Sequence, residues 1–394
     1  MKITQFGLCY SPNLGDGVIA ECLAHGLRMR EPSAEITHVD LSGRQAFGAV
    51  TIANRETILA IVDRLPLWLR QRLALWKLNH VVDGVEADWR KAAQCDLAVI
   101  GGGQILSDAN LNFPIKVSRA ARLLSETRAP TAIYAVGVSR NWTHRGAALF
   151  GDLLGTDLRL VGPRDNASAA AITVQLPGAP EAEVIADPGL LAAECYGPQV
   201  SEADLIGVCV TDFTLLGHHA DSAIAGQAIG GARFYCDLVR ALRARGHRVR
   251  LFSNGAAEDR DLRRRVAAQV ADDAGVDVPP DAERPATLVA QIAGCSAVVA
   301  HRLHACIVAH SYGRAIVGLG WDRKLQSFFE GVGLSANFTG DPSIDADGIA
   351  ILVEGALTDI GMLQAMEGQS PPAVADAWAG IDRLLACVRV RSEG

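Results

Sequence analysis

No apolar run in this chain reaches the roughly 18 residues that a membrane-spanning helix needs. Lys2 opens the N-terminus, but Asn13 and Asp16 interrupt it before a signal-peptide core can form. A soluble, cytoplasmic protein is expected. None of the nine cysteines forms a C-x-x-C pair, which excludes a zinc ribbon and a dithiol redox motif. Their odd number and apolar surroundings predict buried, reduced thiols. No His/Cys/Asp/Glu cluster has metal-ligand spacing: His301, His304 and His310 are close in sequence but lack a convincing further ligand. No metal and no cofactor is expected. Glycine turns occur without a GK[ST] or a full G-x-G-x-x-G, so the case for a nucleotide is weak. There is no internal repeat and no low-complexity tract. Positive charge is not in excess: the formal net charge is -7, which argues against a broad nucleic-acid surface but leaves room for a local anion pocket. Lysine is scarce, supplying 5 of the 37 basic residues. That gives Lys324 extra weight. Nothing in the sequence speaks to oligomeric state.

The chain does have ample apolar material. Of its 394 residues, 49% are hydrophobic, enough for two domains with separate cores. Short apolar runs alternate with longer amphipathic stretches. Lys2–Leu8, Ile36–Leu41, Leu97–Ile100, Ala132–Val138 and Leu158–Val161 read as strands in the first half, and Asp16–Met29 as a helix. The second half repeats the pattern with strands Ile206–Val210, Arg248–Phe252, Ala297–Ala300 and Ala315–Leu319, and helices Phe234–Arg245, Glu258–Ala274 and Leu303–Tyr312. Strands this apolar, separated by helices, predict parallel sheets covered on both faces. Turn chemistry at Asp187-Pro188-Gly189 and Tyr196-Gly197-Pro198 marks the crossover. The expected division is an N-terminal α/β lobe over 1–195, a C-terminal α/β lobe over 196–345, and a helical tail over 346–394. Two such lobes imply a site in the cleft between them, beyond the carboxyl ends of the strands.

Candidate chemistry concentrates in Ala300–Lys324. The strand Ala297–Ala300 delivers Arg302 and His304 to the start of a helix, where free N–H groups and the helix dipole favour an anion. The next strand ends near Asp322, Arg323 and Lys324. A structural cap with surface charges is the plainer alternative. Arg164, directly after strand Leu158–Val161, can grip a carboxylate or phosphate with two parallel bonds, and Asp165 and Asn166 can cap the helix that follows. Asn13 and Asp16 follow the first strand. Taken alone they read as helix caps; as functional groups they offer a carboxylate to orient or deprotonate a hydroxyl. Gly101–Gly103 would let a ligand approach the backbone.

Leu65–Leu78 stands apart. It sets Trp68 and Trp76 beside Arg70, Arg72 and Lys77 in an acidic chain. A helix there resembles those that lie on membrane surfaces, which implies peripheral contact at the inner membrane face. A core-facing helix with a solvated basic edge is the alternative.

Together these motifs resemble the polysaccharide pyruvyl transferase family. Asn13-Leu14-Gly15-Asp16 is similar to its N-x-G-D element, and Leu97–Gly103 to its glycine-ended strand. Arg164–Ser168 is similar to R-[DE]-x-x-S, and Asp187-Pro188 to its D-P turn. Arg302–Ala305 is similar to R-x-H-[AG], and Asp322–Lys324 to D-x-K. The order is the family's, over roughly residues 1–335. The resemblance implies a fold of two Rossmann-like lobes, like the GT-B glycosyltransferases. It implies transfer of a pyruvyl group from phosphoenolpyruvate to a sugar of a polysaccharide or its lipid-linked precursor, forming a ketal and releasing phosphate. Arg164, Arg302, His304 and Lys324 would contact the donor in the C-terminal lobe's site. His304 would be the general acid and Asp16 the base. Asn13, Asp16, Gly102 and Gly103 are acceptor-side candidates. The partners would be phosphoenolpyruvate and a glycan or lipid-linked oligosaccharide, with no nucleic acid. Two alternatives stay open: a GT-B-like glycosyltransferase using a nucleotide sugar, and a non-catalytic protein that binds phosphorylated metabolites.

Overall fold

The computed structural model describes residues 1–48, 83–212, 230–320, 323–366 and 372–389. The segment Leu65–Leu78 therefore lies outside the described residues, as do Trp321 and Asp322. The chain forms two compact units. One comprises Met1–Ser11, Leu23–Asp187 and Trp378–Gly394; the other comprises Pro12–Cys22 and Pro188–Ala377.

In chain order the first stretch holds β1 (Lys2–Gly7), α1 (Leu14–Arg30), β2 (Glu35–Asp40), α2 (Glu86–Ala92), β3 (Leu97–Gly101) and α3 (Asn112–Thr127). It continues with β4 (Pro130–Val136), α4 (His144–Phe150), β5 (Asp157–Pro163) and α5 (Asn166–Gln175). The strands make one parallel sheet in the order β2-β1-β3-β4-β5. β3 and β4 are buried along their whole length. Sequences such as LAVIG make this inevitable, because both faces must be covered. The core beneath α3 includes Ile100, Val117, Leu124, Ile133 and Phe150.

After the crossover come α6 (Ala192–Tyr196), β6 (Glu202–Cys209), α7 (Ala232–Ala244), β7 (Arg248–Phe252), α8 (Ala257–Gln269) and β8 (Val276–Asp277). Then follow α9 (Pro285–Ala293), β9 (Cys295–Ala300), α10 (Leu303–Ser311), β10 (Ala315–Leu319), α11 (Arg323–Gly331), β11 (Phe338–Thr339), α12 (Ala346–Met366) and α13 (Pro372–Arg389). The second sheet is also parallel, in the order β11-β10-β9-β6-β7-β8. Counted within the unit this is the 3-2-1-4-5-6 order of Rossmann sheets, and its order reverses between β6 and β9. Ligand sites in such sheets form at that point, outside the carboxyl ends.

The unit limits differ from a simple cut at 195/196 with a separate tail. The division falls between Asp187 and Pro188, and residues 12–22 count with the second unit. Helix α12 packs on α7 and β10 in the second unit. Most of α13 counts with the first. Gly380 lies against Ile185 and Tyr134, Arg159 donates to the Cys387 carbonyl at 2.6 Å, and Arg30 pairs with Asp382 at 2.9 Å. Among the described residues no helix is long and apolar enough to cross a membrane. All nine cysteines carry free thiols.

Candidate active site

In the second unit the relevant side chains gather where β6, β7 and β9 end. β9 finishes at Ala300, and the chain turns through His301 and Arg302 into α10. Arg302 is the residue before the helix, in extended conformation, and His304 lies buried in the first turn. Arg302 points back onto α8, where its Nε and Nη2 donate to Asp259 Oδ2 at 3.0 and 2.6 Å. The Asp259 side chain is fully buried, and it also accepts the Asp212 N–H at 2.8 Å. Burial pushes its carboxyl up from the ordinary range, against the opposing pull of Arg302 and the Asp212 N–H. The pair thus fixes a cation at the switch point, between the loops after β6 and β9.

His301 is buried, and its Nδ1 lies 2.9 Å from the Leu319 carbonyl. Burial holds its pKa down to about 3, helped by the nearby Arg302 charge, so the ring stays neutral. A neutral ring with Nδ1 facing a carbonyl carries its proton there. This histidine ties the end of β9 to the end of β10. Burial pushes the Cys209 thiol up, which rules out a thiolate nucleophile at the end of β6.

The segment Pro12–Cys22 completes this cluster. The Leu14 N–H donates to the Asn254 carbonyl at 2.8 Å, and Asn254 Nδ2 donates to Asn13 Oδ1 at 3.4 Å. Asn13 Nδ2 in turn donates to Asp16 Oδ2 at 3.4 Å. Gly255, with φ +100°, leaves space for the chain: a Cβ there would meet the Pro12 carbonyl oxygen at 2.6 Å. Gly15 presses its bare Cα against His304. An added Cβ would sit 2.6 Å from both Cβ and Nδ1 of that histidine. The N-x-G-D spacing therefore has a physical content: Asn13 docks on β7's end, and Gly15 makes room for the His304 ring. Helix α1 begins at Leu14, so Asp16 sits inside its first turn, not before it. Lys324 is the second residue of α11 and is half-buried.

The first unit holds the other candidates, again at carboxyl ends of strands. Gly102 and Gly103 follow β3 with φ of +81° and +71°. The Gly103 carbonyl accepts the Gly137 N–H at 2.9 Å, which joins the loop after β3 to the one after β4. Arg164 follows β5, and its guanidinium lies on Gly137, where a Cβ would meet Nη2 at 2.8 Å. Its side chain is 6% exposed, and its carboxylate partner, Asp165, stands 3.7 Å from Nε. Nε makes no hydrogen bond among the described residues. Asp165 is occupied elsewhere: Oδ1 accepts the Ser168 N–H at 2.7 Å and caps α5. Ser168 Oγ accepts the Val138 N–H at 3.1 Å. In the run Arg164–Ser168, then, Asp165 and Ser168 are scaffold, and Arg164 is a buried cation whose ion pair with Asp165 is long, at 3.7 Å.

The structure thus brings Asn13, Gly15, Asp16 and His304 together in one unit, and Gly103 and Arg164 together in the other. Asp259, Asn254 and Gly137 were missed by sequence reasoning. Asn254-Gly255 after β7 is a readable turn signal. Asp259 sits in the charged run Glu258–Arg265, which reads as a solvated face. Among the described residues, no group of three or more His, Cys, Asp or Glu could hold a metal ion.

The sequence profile of one family, polysaccharide pyruvyl transferase, matches residues 13–323. The chain belongs to that family. Curated proteins include no significant match. Among solved structures the chain is similar to the S. aureus MnaA–UDP co-structure, with 11% identity, TM-score 0.56, and 99% and 96% of the two chains covered. It is also similar to Medicago truncatula UGT71G1 complexed with UDP-glucose, at 9% identity and TM-score 0.51, covering 98% of each chain. Methanocaldococcus jannaschii UDP-GlcNAc 2-epimerase, in complex with UDP-GlcNAc and UDP, gives 9% identity and TM-score 0.51 with both chains fully covered. At such identities the likeness is one of fold. It places this pyruvyl transferase family member among GT-B-like proteins.

Proposed function

We propose that the protein transfers a pyruvyl group from phosphoenolpyruvate to a sugar of a polysaccharide or its lipid-linked precursor. The observation that carries this is His304 in the first turn of α10, seated on Gly15 beside Asp16 and preceded by the anchored Arg302. Phosphoenolpyruvate puts a phosphate and a carboxylate on one small skeleton, so its site needs cations and oriented N–H donors. Arg302, Lys324 and the start of α10 offer these in the second unit. Arg164, buried and only loosely paired with Asp165 at 3.7 Å, is the first unit's candidate for an anionic group.

In the proposed reaction His304 protonates the methylene carbon of the enol, and a sugar hydroxyl attacks the adjacent carbon as Asp16 receives its proton. Phosphate leaves with the carbon–oxygen bond electrons, and a second hydroxyl closes the ketal and gives its proton to the now neutral His304, while the proton on Asp16 passes to the released phosphate. Cationic side chains stabilise the departing phosphate. Gly102 and Gly103, with Asn13 and Asp16, are the proposed acceptor-side contacts.

The family match favours pyruvyl transfer over the nucleotide-sugar alternative, which rests on fold alone. Incubation with phosphoenolpyruvate and a glycan or lipid-linked acceptor tests the proposal. Phosphate release with a mass gain of one pyruvyl ketal supports it. Nucleotide release from a nucleotide sugar, with no product from phosphoenolpyruvate, overturns it. Peripheral membrane contact through Leu65–Leu78 is proposed from composition. Liposome co-sedimentation that is unchanged by salt, or by Arg70/Arg72/Lys77→Gln, would refute it.

A further inference from the structure

Helix α3 of the first unit buries a lysine. Lys116 is 4% exposed, although charged residues are almost never this buried unless paired. Its Nζ donates to Ser42 Oγ at 2.9 Å and stands 5.7 Å from the centre of the Phe113 ring. Among the described residues the carboxylate that acts on it is Asp40, at the carboxyl end of β2, and it is already committed. Oδ2 accepts the Tyr10 N–H at 2.9 Å and Oδ1 the Ser42 N–H at 2.7 Å, while Arg44 stands 3.6 Å from Oδ1.

Among the described residues the cluster thus holds two cations and one carboxylate, both of whose oxygens already accept a backbone N–H. Burial pushes the Lys116 pKa down to about 8, with the Arg44 charge adding to the shift and Asp40 opposing it. At neutral pH the ammonium remains beneath Ser42 and Arg44, both of them partly exposed, and among the described residues the cluster carries one positive charge in excess. Beside them Tyr10 and Phe47, also partly exposed, meet edge to face at 5.3 Å. An aromatic pair next to buried positive charge and a hydroxyl suits a sugar ring bearing an anion: apolar ring faces pack on aromatics, and the cations answer the charge.

We propose that Ser42, Arg44 and the Tyr10–Phe47 pair, underlain by Lys116, form a binding site for an anionic saccharide. The anion is a carboxylate or a phosphate on the glycan, and the site deepens the proposed function by naming the acceptor's chemical class. It rests on that reading only for the saccharide's role as acceptor.

Titration calorimetry on the full chain tests it with three probes: methyl β-glucuronide, glucose 1-phosphate and neutral methyl β-glucoside. One of the two anionic saccharides should bind at least about tenfold more tightly than the glucoside, since charge-assisted bonds contribute about that much. Which of them does so separates a carboxylate from a phosphate source. Lys116→Met and Arg44→Gln should each lose the preference, and Lys116→Arg should keep part of it. Equal binding of charged and neutral sugars, no binding of either anion, or an intact preference in Lys116→Met with native circular dichroism overturns the site. Should Lys116→Met fail to fold, Arg44→Gln, at the partly exposed edge, decides the same question: a lost preference supports the site and an intact one overturns it. Phosphoenolpyruvate binding is measured in parallel. Its absence in the wild type refutes the proposed function and leaves the saccharide result standing.

Discussion

Gly15→Ala puts the relation between the N-terminal segment and His304 to a direct test. Gly15 is the second residue of α1, and in a helix the change from glycine to alanine ordinarily stabilises by about 0.5–1 kcal/mol. Here the new methyl would sit 2.6 Å from Cβ and from Nδ1 of His304, closer than side chains tolerate. Overpacking of this kind costs about 1–3 kcal/mol. The clash therefore wins or draws: net destabilisation should be about 0–2.5 kcal/mol, a fall in Tm of a few degrees. Turnover should suffer more than stability. The ring must move by something like an ångström, and displacement on that scale can cost about 10²-fold in rate. A double-mutant cycle isolates the contact. Because His304 Cβ is itself in the way, the second change must be His304→Gly. In that background Gly15→Ala should be neutral or stabilising, giving a coupling of about 1–3 kcal/mol. Differential scanning calorimetry of the four proteins and phosphate release for wild type and Gly15→Ala supply the numbers. Additive stabilities, with near-normal turnover in Gly15→Ala, would refute the reasoning.

Asp259→Asn should lower Tm sharply, since removing one partner of a buried ion pair costs about 3–5 kcal/mol, and should weaken donor binding as Arg302 loses its anchor; unchanged donor affinity in folded protein would count against an anchored Arg302. Arg164→Ala should weaken phosphoenolpyruvate binding by about 1.5–3 kcal/mol, read by calorimetry, if the guanidinium makes a charge-assisted bond to the donor. His301 gives a pH signature: its folded pKa is about 3 against an ordinary 6.5. The unfolded chain takes up a proton that the folded chain refuses, so stability falls as pH drops from 6.5 towards 3, and His301→Gln should flatten that decline in denaturant titrations. Lys116 acts on the alkaline side, with a folded pKa of about 8 against 10.5. Between those values the unfolded chain holds the extra proton, so Lys116 adds stability as pH rises and offsets part of the loss from the buried thiols of Cys209, Cys295 and Cys306, whose pKa values burial raises; Lys116→Met should steepen the alkaline decline in denaturant titrations.

The parallel sheets were legible because their strands are apolar throughout. Arg248–Phe252 and Ala315–Leu319 match the structure end to end, and other strands differ by one to four residues at an end. The short edge strands β8 and β11, two residues each, carry no pattern long enough to read. Arg302 and His304 were legible from the strand-to-helix turn that presents them. The Asp259–Arg302 pair was not, because 43 positions separate its members and Asp259 hides among charges typical of a wet helix face. Lys116 was hidden likewise: a lysine in an amphipathic helix reads as surface until the packing of β2's loop is known. The place of Asn13–Asp16 followed from contacts to Asn254 and His304, which no local propensity encodes.

The residues that seat His304 are not contiguous with the rest of their unit. Leu14 and Gly15 come from the start of the chain, while Asn254 and His304 lie some 240 and 290 positions later. A gene fragment beginning at Pro188 would thus omit the clasp on Asn254 and the surface under the His304 ring. Modular recombination at Asp187–Pro188 could not exchange this half intact, so an exchange that keeps His304 seated must carry residues 12–22 along with the second unit.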